Sequence, residues 1–163
     1  MTTETTTTRG LTIKQPWAFA IAEGFKTVEN RSRRTNYRGT LLIHAGRAAN
    51  DAVNVVSYSR DAAIRFQELG GRSNYWDARE HLPSRIVPPP PTAMALSAVI
   101  ATAQLVGCHE AADGCCAPWG FPHCWHWELA DVQPLQRAIA KTGALGLWKP
   151  DAELLAAVDD ATA

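Results

Sequence analysis

The segment from residue 11 to residue 45 constrains the fold most, because it joins strand, helix and strand patterns within a short length. Its first residues, Leu11–Lys14, alternate between apolar and polar, which predicts a strand. Gln15-Pro16-Trp17 ends that strand, since proline has no backbone N–H for a ladder and its fixed φ suits the start of a helix. Apolar residues at helical spacing then predict a short helix that ends near Gly24: Ala18, Ile21, Ala22 and Phe25.

Two further strands are predicted in the same segment. Lys26–Arg31 alternates again, and successive side chains of a strand point to opposite faces, so Thr27, Glu29 and Arg31 share one face. The apolar run Thr40–Ala45, which follows a turn at residues 37–39, is typical of a buried strand.

Charge is distributed unevenly along the chain. The 16 basic and 16 acidic residues give a formal net charge of zero, which argues against a protein that coats nucleic acid by bulk electrostatics. The basic residues nevertheless gather around the second predicted strand, where Glu29 is the one acidic residue. They are Lys26, Arg31, Arg33, Arg34 and Arg38. We therefore expect a local basic site on a neutral domain.

Several separated motifs carry a resemblance to a known family. Gln15-Pro16-Trp17, the Gly-x-Lys-Thr-x-Glu-x-Arg pattern of residues 24–31 and Tyr37-Arg38-Gly39 resemble the opening of an ASCH domain, a branch of the PUA-like superfamily. Trp125–Leu129 and Gly143–Trp148 are similar to later strands of that family. The resemblance covers most of the chain from residue 11 to residue 148, and it implies a small PUA-like barrel.

The expected fold class is α+β, with a small PUA-like β-barrel of five or six strands flanked by helices. We expect a disordered tail at 1–10, the domain at 11–150 with a helical and proline-rich insertion at 47–91, and a short acidic C-terminal helix and tail at 151–163. The other predicted elements are a strand at 93–106, a loop at 107–122, a strand at 125–129, a connection at 131–143 with a helical turn at 135–139, a strand at 144–148 and a helix at 151–158.

The chain shows neither a secretory signal nor an apolar stretch of the roughly 20 residues that a membrane span requires. We expect a cytoplasmic protein that is monomeric or weakly dimeric, with no membrane partner and no cofactor. The protein partner is left unknown.

The face formed by Thr27, Glu29 and Arg31 has two interpretations. It is either a solvated strand with an ordinary Glu–Arg pair, or the floor of a cleft in which the basic residues bind phosphate and Glu29 accepts hydrogen bonds from a base. The resemblance favours the second interpretation, with RNA or another nucleic acid, or a nucleotide-like ligand, as the partner. The candidate binding residues are Lys14, Gln15, Trp17, Lys26, Glu29, Arg31, Arg33, Arg38 and Trp119.

Catalysis is the alternative function. Some ASCH proteins are regarded as amidohydrolases of an acylated cytidine with a Lys-Thr-x-Thr motif, whose second Thr is the nucleophile. Here Lys26-Thr27-Val28-Glu29 has a carboxylate at that position, which argues against this chemistry. Cleavage of RNA, reported for other members, needs a base and a cation near the scissile phosphate, for which Lys26 and Glu29 are the candidates. His44 is a further candidate, although a histidine in an apolar strand is more typical of a core residue.

Cysteine and histidine residues cluster between residues 108 and 126. We expect reduced thiols packed under a loop, and a structural zinc is the alternative, with ligand candidates Cys108, Cys115, Cys116 and Cys124. The spacing lacks a paired Cys-x-x-Cys set, and two adjacent cysteines do not easily bind one tetrahedral ion. A third function, an adaptor that contacts a protein through residues 71–91, also stays open.

Overall fold

The computed structural model describes residues 7–15, 17–22, 24, 26–47, 95–116 and 119–162. Six strands and two helices are found there: β1 (Arg9–Ile13), α1 (Trp17–Ala22), β2 (Val28–Arg31), β3 (Gly39–Ala45), β4 (Ala98–Glu110), β5 (Trp125–Ala140), β6 (Leu147–Trp148) and α2 (Ala152–Thr162). Apart from Arg47, the predicted insertion at 47–91 lies outside the described residues. β1 starts inside the expected tail, and α2 extends beyond its predicted end.

The strands form one mixed sheet in the order β2-β5-β4-β3-β1-β6. β1 pairs with β3 in parallel, and the other neighbouring pairs are antiparallel. The expected α+β class with six strands is confirmed for the part of the chain that the structure describes. Both described helices, 6 and 11 residues long, are too short to cross a bilayer.

β4 and β5 are long strands that bend at bulges. They contain 13 and 16 residues, and their register shifts at three places along the pair. Bulges bend a strand and increase its twist, which lets the sheet curl into a half-barrel. The predicted helical turn at 135–139 is wrong, because β5 continues through it. Pro134 lies between two of the register shifts, at the kind of position where a strand tolerates proline.

The core lies on the concave face of the sheet. Leu11, Leu41 and Ile43 are fully buried there, and Ile21 of α1 packs into the same cluster. Burial of each such side chain contributes about 1.5–3 kcal/mol relative to its exposure. A second cluster joins the other face to α2: Leu42, Val99, Leu154 and Val158. His44 is buried, and its Nε2 lies 2.7 Å from the Lys141 carbonyl oxygen, which confirms the core interpretation.

The half-barrel brings β2 close to the end of β1, although three strands lie between them in the sheet order. Arg31 Nη2 donates a hydrogen bond to the Thr12 carbonyl oxygen at 2.9 Å. The backbone N–H of Lys26 donates to the carbonyl oxygen of Ala20 in α1 at 3.0 Å. These contacts fix the candidate site at the rim where β1, α1 and β2 meet.

Candidate functional site

Lys26, Glu29 and Arg31 form a single ion cluster. Lys26 Nζ lies 2.9 Å from Glu29 Oε2, and Arg31 Nε lies 3.3 Å from Glu29 Oε1. The first contact is also a hydrogen bond. The second is an ion pair only, because the buried Arg31 Nε has no aligned acceptor among the described residues. The structure therefore brings together the three residues that the sequence grouped.

The local sequence explains this geometry. Glu29 and Arg31 are two residues apart on β2, so both side chains point to the concave face, where Glu29 lies opposite Trp127 of β5. The Arg31 guanidinium stacks over the Trp127 ring, 5.8 Å from its centroid. Lys26 precedes the strand, and its ammonium group turns back to donate to the Val28 carbonyl oxygen as well as to Glu29.

Burial separates the roles of the three charges. The exposed fractions of the side chains are 4% for Lys26, 12% for Glu29 and 27% for Arg31. The Lys26 ammonium is thus committed to partners inside the protein, whereas part of the Arg31 side chain faces solvent. The arrangement holds a guanidinium group at the rim and places a carboxylate between two basic side chains.

The other predicted binding residues differ in burial. Lys14, Arg33 and Arg38 are exposed, and Arg38 donates two hydrogen bonds to carbonyl oxygens of its own loop, those of residues 35 and 37. Arg34, also exposed, stacks over the Trp125 ring. Gln15 is different: only 1% of it is exposed, and its amide bonds the backbone of residues 19 and 95. Its position is that of a structural residue.

Trp17 and Trp119 contact each other although the chain separates them widely. Both are half-buried, and their rings meet edge to face with centroids 6.2 Å apart. Asn30 holds the loop that carries Trp119. Its Nδ2 donates to the Trp119 carbonyl oxygen at 2.8 Å, and its Oδ1 accepts from the Phe121 N–H at 2.9 Å. Asn30 was not among the predicted binding residues, and its place between Glu29 and Arg31 puts its side chain on the opposite face of β2.

The cysteines and histidines divide into two groups. Nitrogen or sulfur atoms of His109, Cys115, Cys116 and His126 all lie within 4.8 Å of one another. Two of the four predicted cysteine candidates are elsewhere: the Thr35 N–H donates to Cys108 Sγ, and Cys124 Sγ donates to Asn30 and to the Phe121 carbonyl oxygen. His109 and His126 lie in the predicted cysteine- and histidine-rich region, but they were not among the predicted zinc ligands.

Two of these thiols have altered acidity. Burial is the main cause that raises the pKa of Cys116 and of Cys124 above the ordinary value of a thiol. Both are therefore protonated near neutral pH when they bind no metal, and neither has the thiolate character of a catalytic nucleophile.

Comparison with known proteins agrees with the fold. The family model described as the ASCH domain matches residues 11–135, a range that runs from within β1 into β5 and includes the ion cluster. The ASCH family is often associated with RNA binding. A search of curated proteins finds no match to the chain.

Proposed function

This chain belongs to the ASCH domain family, and from that membership we propose that it binds single-stranded RNA along the rim where β1 and β2 end. The observation that carries the proposal is the position of Arg31. The Thr12 carbonyl, the Glu29 carboxylate and the Trp127 ring hold its guanidinium group, while 27% of its side chain stays exposed. A cation that is already ordered loses little conformational entropy when it meets a phosphate.

The residues around Arg31 support the same function. Lys14 lies two residues beyond Thr12, and Arg33 lies two residues beyond Arg31, so both extend the positive charge from the anchored guanidinium. Proteins that bind single strands combine such a basic surface with aromatic side chains on which bases stack. The Trp17 and Trp119 pair supplies aromatic surface on the segments next to β2.

A hydrolase is the second candidate, and one observation favours it. The Lys26 ammonium and the Glu29 carboxylate lie 2.9 Å apart, which pairs a cation with a potential general base. The small exposure of Lys26, together with its donation to the Val28 carbonyl oxygen, argues for a supporting role instead. Binding is therefore the function that the geometry supports best.

The test measures fluorescence anisotropy of a labelled single-stranded RNA of mixed sequence over a range of salt concentrations, beside DNA of the same sequence and free nucleosides. The RNA affinity is expected to fall as salt rises. Arg33→Ala and Arg31→Ala are each expected to weaken binding and to reduce the logarithmic salt slope by about 0.7 for each lost phosphate contact.

Arg137→Ala is the matched control, because Arg137 is exposed on β5 and pairs with Asp160 of α2 at 2.6 Å. It removes the same charge from another part of the surface. Equal affinities of Arg33→Ala, Arg31→Ala and Arg137→Ala would contradict the proposal. Shortened RNA or a hydrolysed nucleoside, detected by mass spectrometry and absent in a Glu29→Gln variant that remains folded and still binds, would establish the hydrolase instead.

A further inference from the structure

Four potential metal ligands converge on the face of the sheet opposite the core. His109 of β4 and His126 of β5 are direct partners in the antiparallel register, and their ring centroids are 5.2 Å apart. The loop between these strands folds back and places Cys115 and Cys116 beside them. Cys115 Sγ lies 3.3 Å from His126 Nδ1, and Cys116 Sγ lies 3.3 Å from His109 Nε2.

The loop backbone allows two adjacent cysteines to point at one centre. Cys116 has a φ of 57°, a left-handed conformation that is unfavourable for a residue with a Cβ atom. Such conformations persist where the surrounding structure requires them. Gly120 packs directly against the group: a Cβ atom there would lie 2.6 Å from His126 Cε1 and 2.8 Å from Cys116 Cβ. Although adjacent cysteines do not easily bind one tetrahedral ion, the Sγ atoms of Cys115 and Cys116 both lie within 4.8 Å of the two histidine nitrogens in this loop.

The spacing fits one tetrahedral ion. With Zn–S bonds of about 2.3 Å and Zn–N bonds of about 2.0–2.1 Å, a tetrahedron has S···N edges of about 3.5 Å and an S···S edge of about 3.8 Å. The two 3.3 Å contacts and the 4.8 Å upper limit among the four atoms bracket these values. Side-chain adjustments of less than about 1 Å would complete the site.

The hydrogen-bond partners of three of these ligands also favour metal binding. His126 Nε2 lies 2.7 Å from the Phe121 carbonyl oxygen, and His109 Nδ1 lies 2.9 Å from the Glu110 carbonyl oxygen. Each carbonyl accepts an N–H from the outer ring nitrogen and thereby leaves the inner nitrogen with its lone pair directed at the cysteines. The Ala112 N–H donates to Cys115 Sγ at 3.2 Å, which stabilises a thiolate.

We propose that His109, Cys115, Cys116 and His126 bind one structural Zn²⁺, which fixes the loop between β4 and β5 to the outer face of the sheet. Two thiolates and two imidazoles are a donor set that zinc prefers, and four protein ligands close the tetrahedron, as in structural sites. The two thiolates neutralise the ion. Glu128 Oε1, 3.3 Å from His109 Nε2, lies at the edge of the site.

The first experiment measures metal content and geometry in the full chain, expressed with zinc and purified without chelators. Elemental analysis is expected to find about one zinc per chain. Titration of the stripped protein with Co²⁺ is expected to give the visible absorption of a tetrahedral ion together with a thiolate charge-transfer band. No zinc in the purified protein and no tetrahedral Co²⁺ spectrum would overturn the proposal.

Matched variants assign the ligands. Cys115→Ser and His126→Asn are expected to lower zinc affinity at least 10-fold, whereas Cys124→Ser and His123→Asn, which change neighbouring residues of the same types, retain it. An equal loss of zinc affinity in the ligand variants and in the control variants would overturn the assignment. If the ligand variants fail to fold, the unfolding temperature of the wild-type protein tests the proposal. It is expected to rise with added Zn²⁺ and to fall with a chelator. An unchanged temperature would overturn the proposal, and RNA affinity does not enter any of these measurements.

Discussion

The ion cluster predicts that its two least exposed members, Lys26 and Glu29, contribute unequally to stability. In Glu29→Gln the Lys26 ammonium, with a side chain only 4% exposed, loses its carboxylate and keeps the Val28 carbonyl as a described partner. In Lys26→Met the Glu29 carboxylate keeps Arg31 at 3.3 Å, and the methionine fills most of the vacated space. The loss of Glu29 is therefore expected to cost more than the loss of Lys26.

The magnitude follows from the cost of an uncompensated buried charge. Removal of one partner of a buried pair typically destabilises a protein by about 3–5 kcal/mol, which we expect for Glu29→Gln. Lys26→Met is expected to cost about 1–2 kcal/mol, because Glu29 stays paired and the substitution nearly preserves volume. For a chain of this size about 1 kcal/mol shifts the unfolding temperature by about 2–4 °C, so Glu29→Gln should lower it by about 6–20 °C.

Urea unfolding of both variants and of the double variant measures these costs as a double-mutant cycle. The double variant contains neither buried charge and is expected to be more stable than Glu29→Gln alone. Glu153→Gln, which neutralises a glutamate exposed on α2, is the control and should cost less than about 1 kcal/mol. A loss in Lys26→Met equal to or larger than that in Glu29→Gln would refute the reasoning.

Two other predictions concern polar contacts that hold distant segments. Asn30→Ala removes two hydrogen bonds to the loop after β4 and should lower stability by about 1–3 kcal/mol in urea unfolding. The control Asn36→Ala changes an exposed residue and should stay within about 0.5 kcal/mol. Hydrogen bonds from Lys141 and from the Leu154 N–H hold the pKa of Asp151 below its ordinary value. The stability that the ionised Asp151 contributes is complete above the pKa of this group in the unfolded chain, about 3.9, and it is lost as the pH falls through the lower pKa of the folded state. The unfolding temperature of Asp151→Asn should therefore depend less on pH below about pH 4 than that of the wild-type protein.

Local sequence patterns predicted the helices and strands that depend mainly on residues close together in the chain. The helical spacing of Ala18 and Ile21 predicted α1, and the short apolar run at residues 40–45 predicted β3, because each pattern is typical of one kind of element. β5 was predicted too short. Its second half is stabilised by pairing with β4 across bulges, and no local signal records such a long-range partner.

The candidate site shows the same division. Alternation along β2 placed Glu29 and Arg31 on one face, and the structure agrees. The deep burial of Lys26 was not predicted, because it depends on the packing of this segment against α1, where the Lys26 N–H donates to the Ala20 carbonyl oxygen. The convergence of His109 with His126 likewise depends on the register between β4 and β5, which the sequence alone does not specify.

β2 connects the two proposed sites without merging them. Because adjacent side chains of a strand point to opposite faces, Glu29 and Arg31 face the core side while Asn30 faces the loop with the cysteines. A metal that orders this loop would fix Trp119 near the rim but would make no contact with the ion cluster. Under the proposed function, the loop would therefore affect RNA binding through the position of one aromatic ring, whereas the affinity for phosphate would depend on Arg31 and on exposed cations such as Arg33.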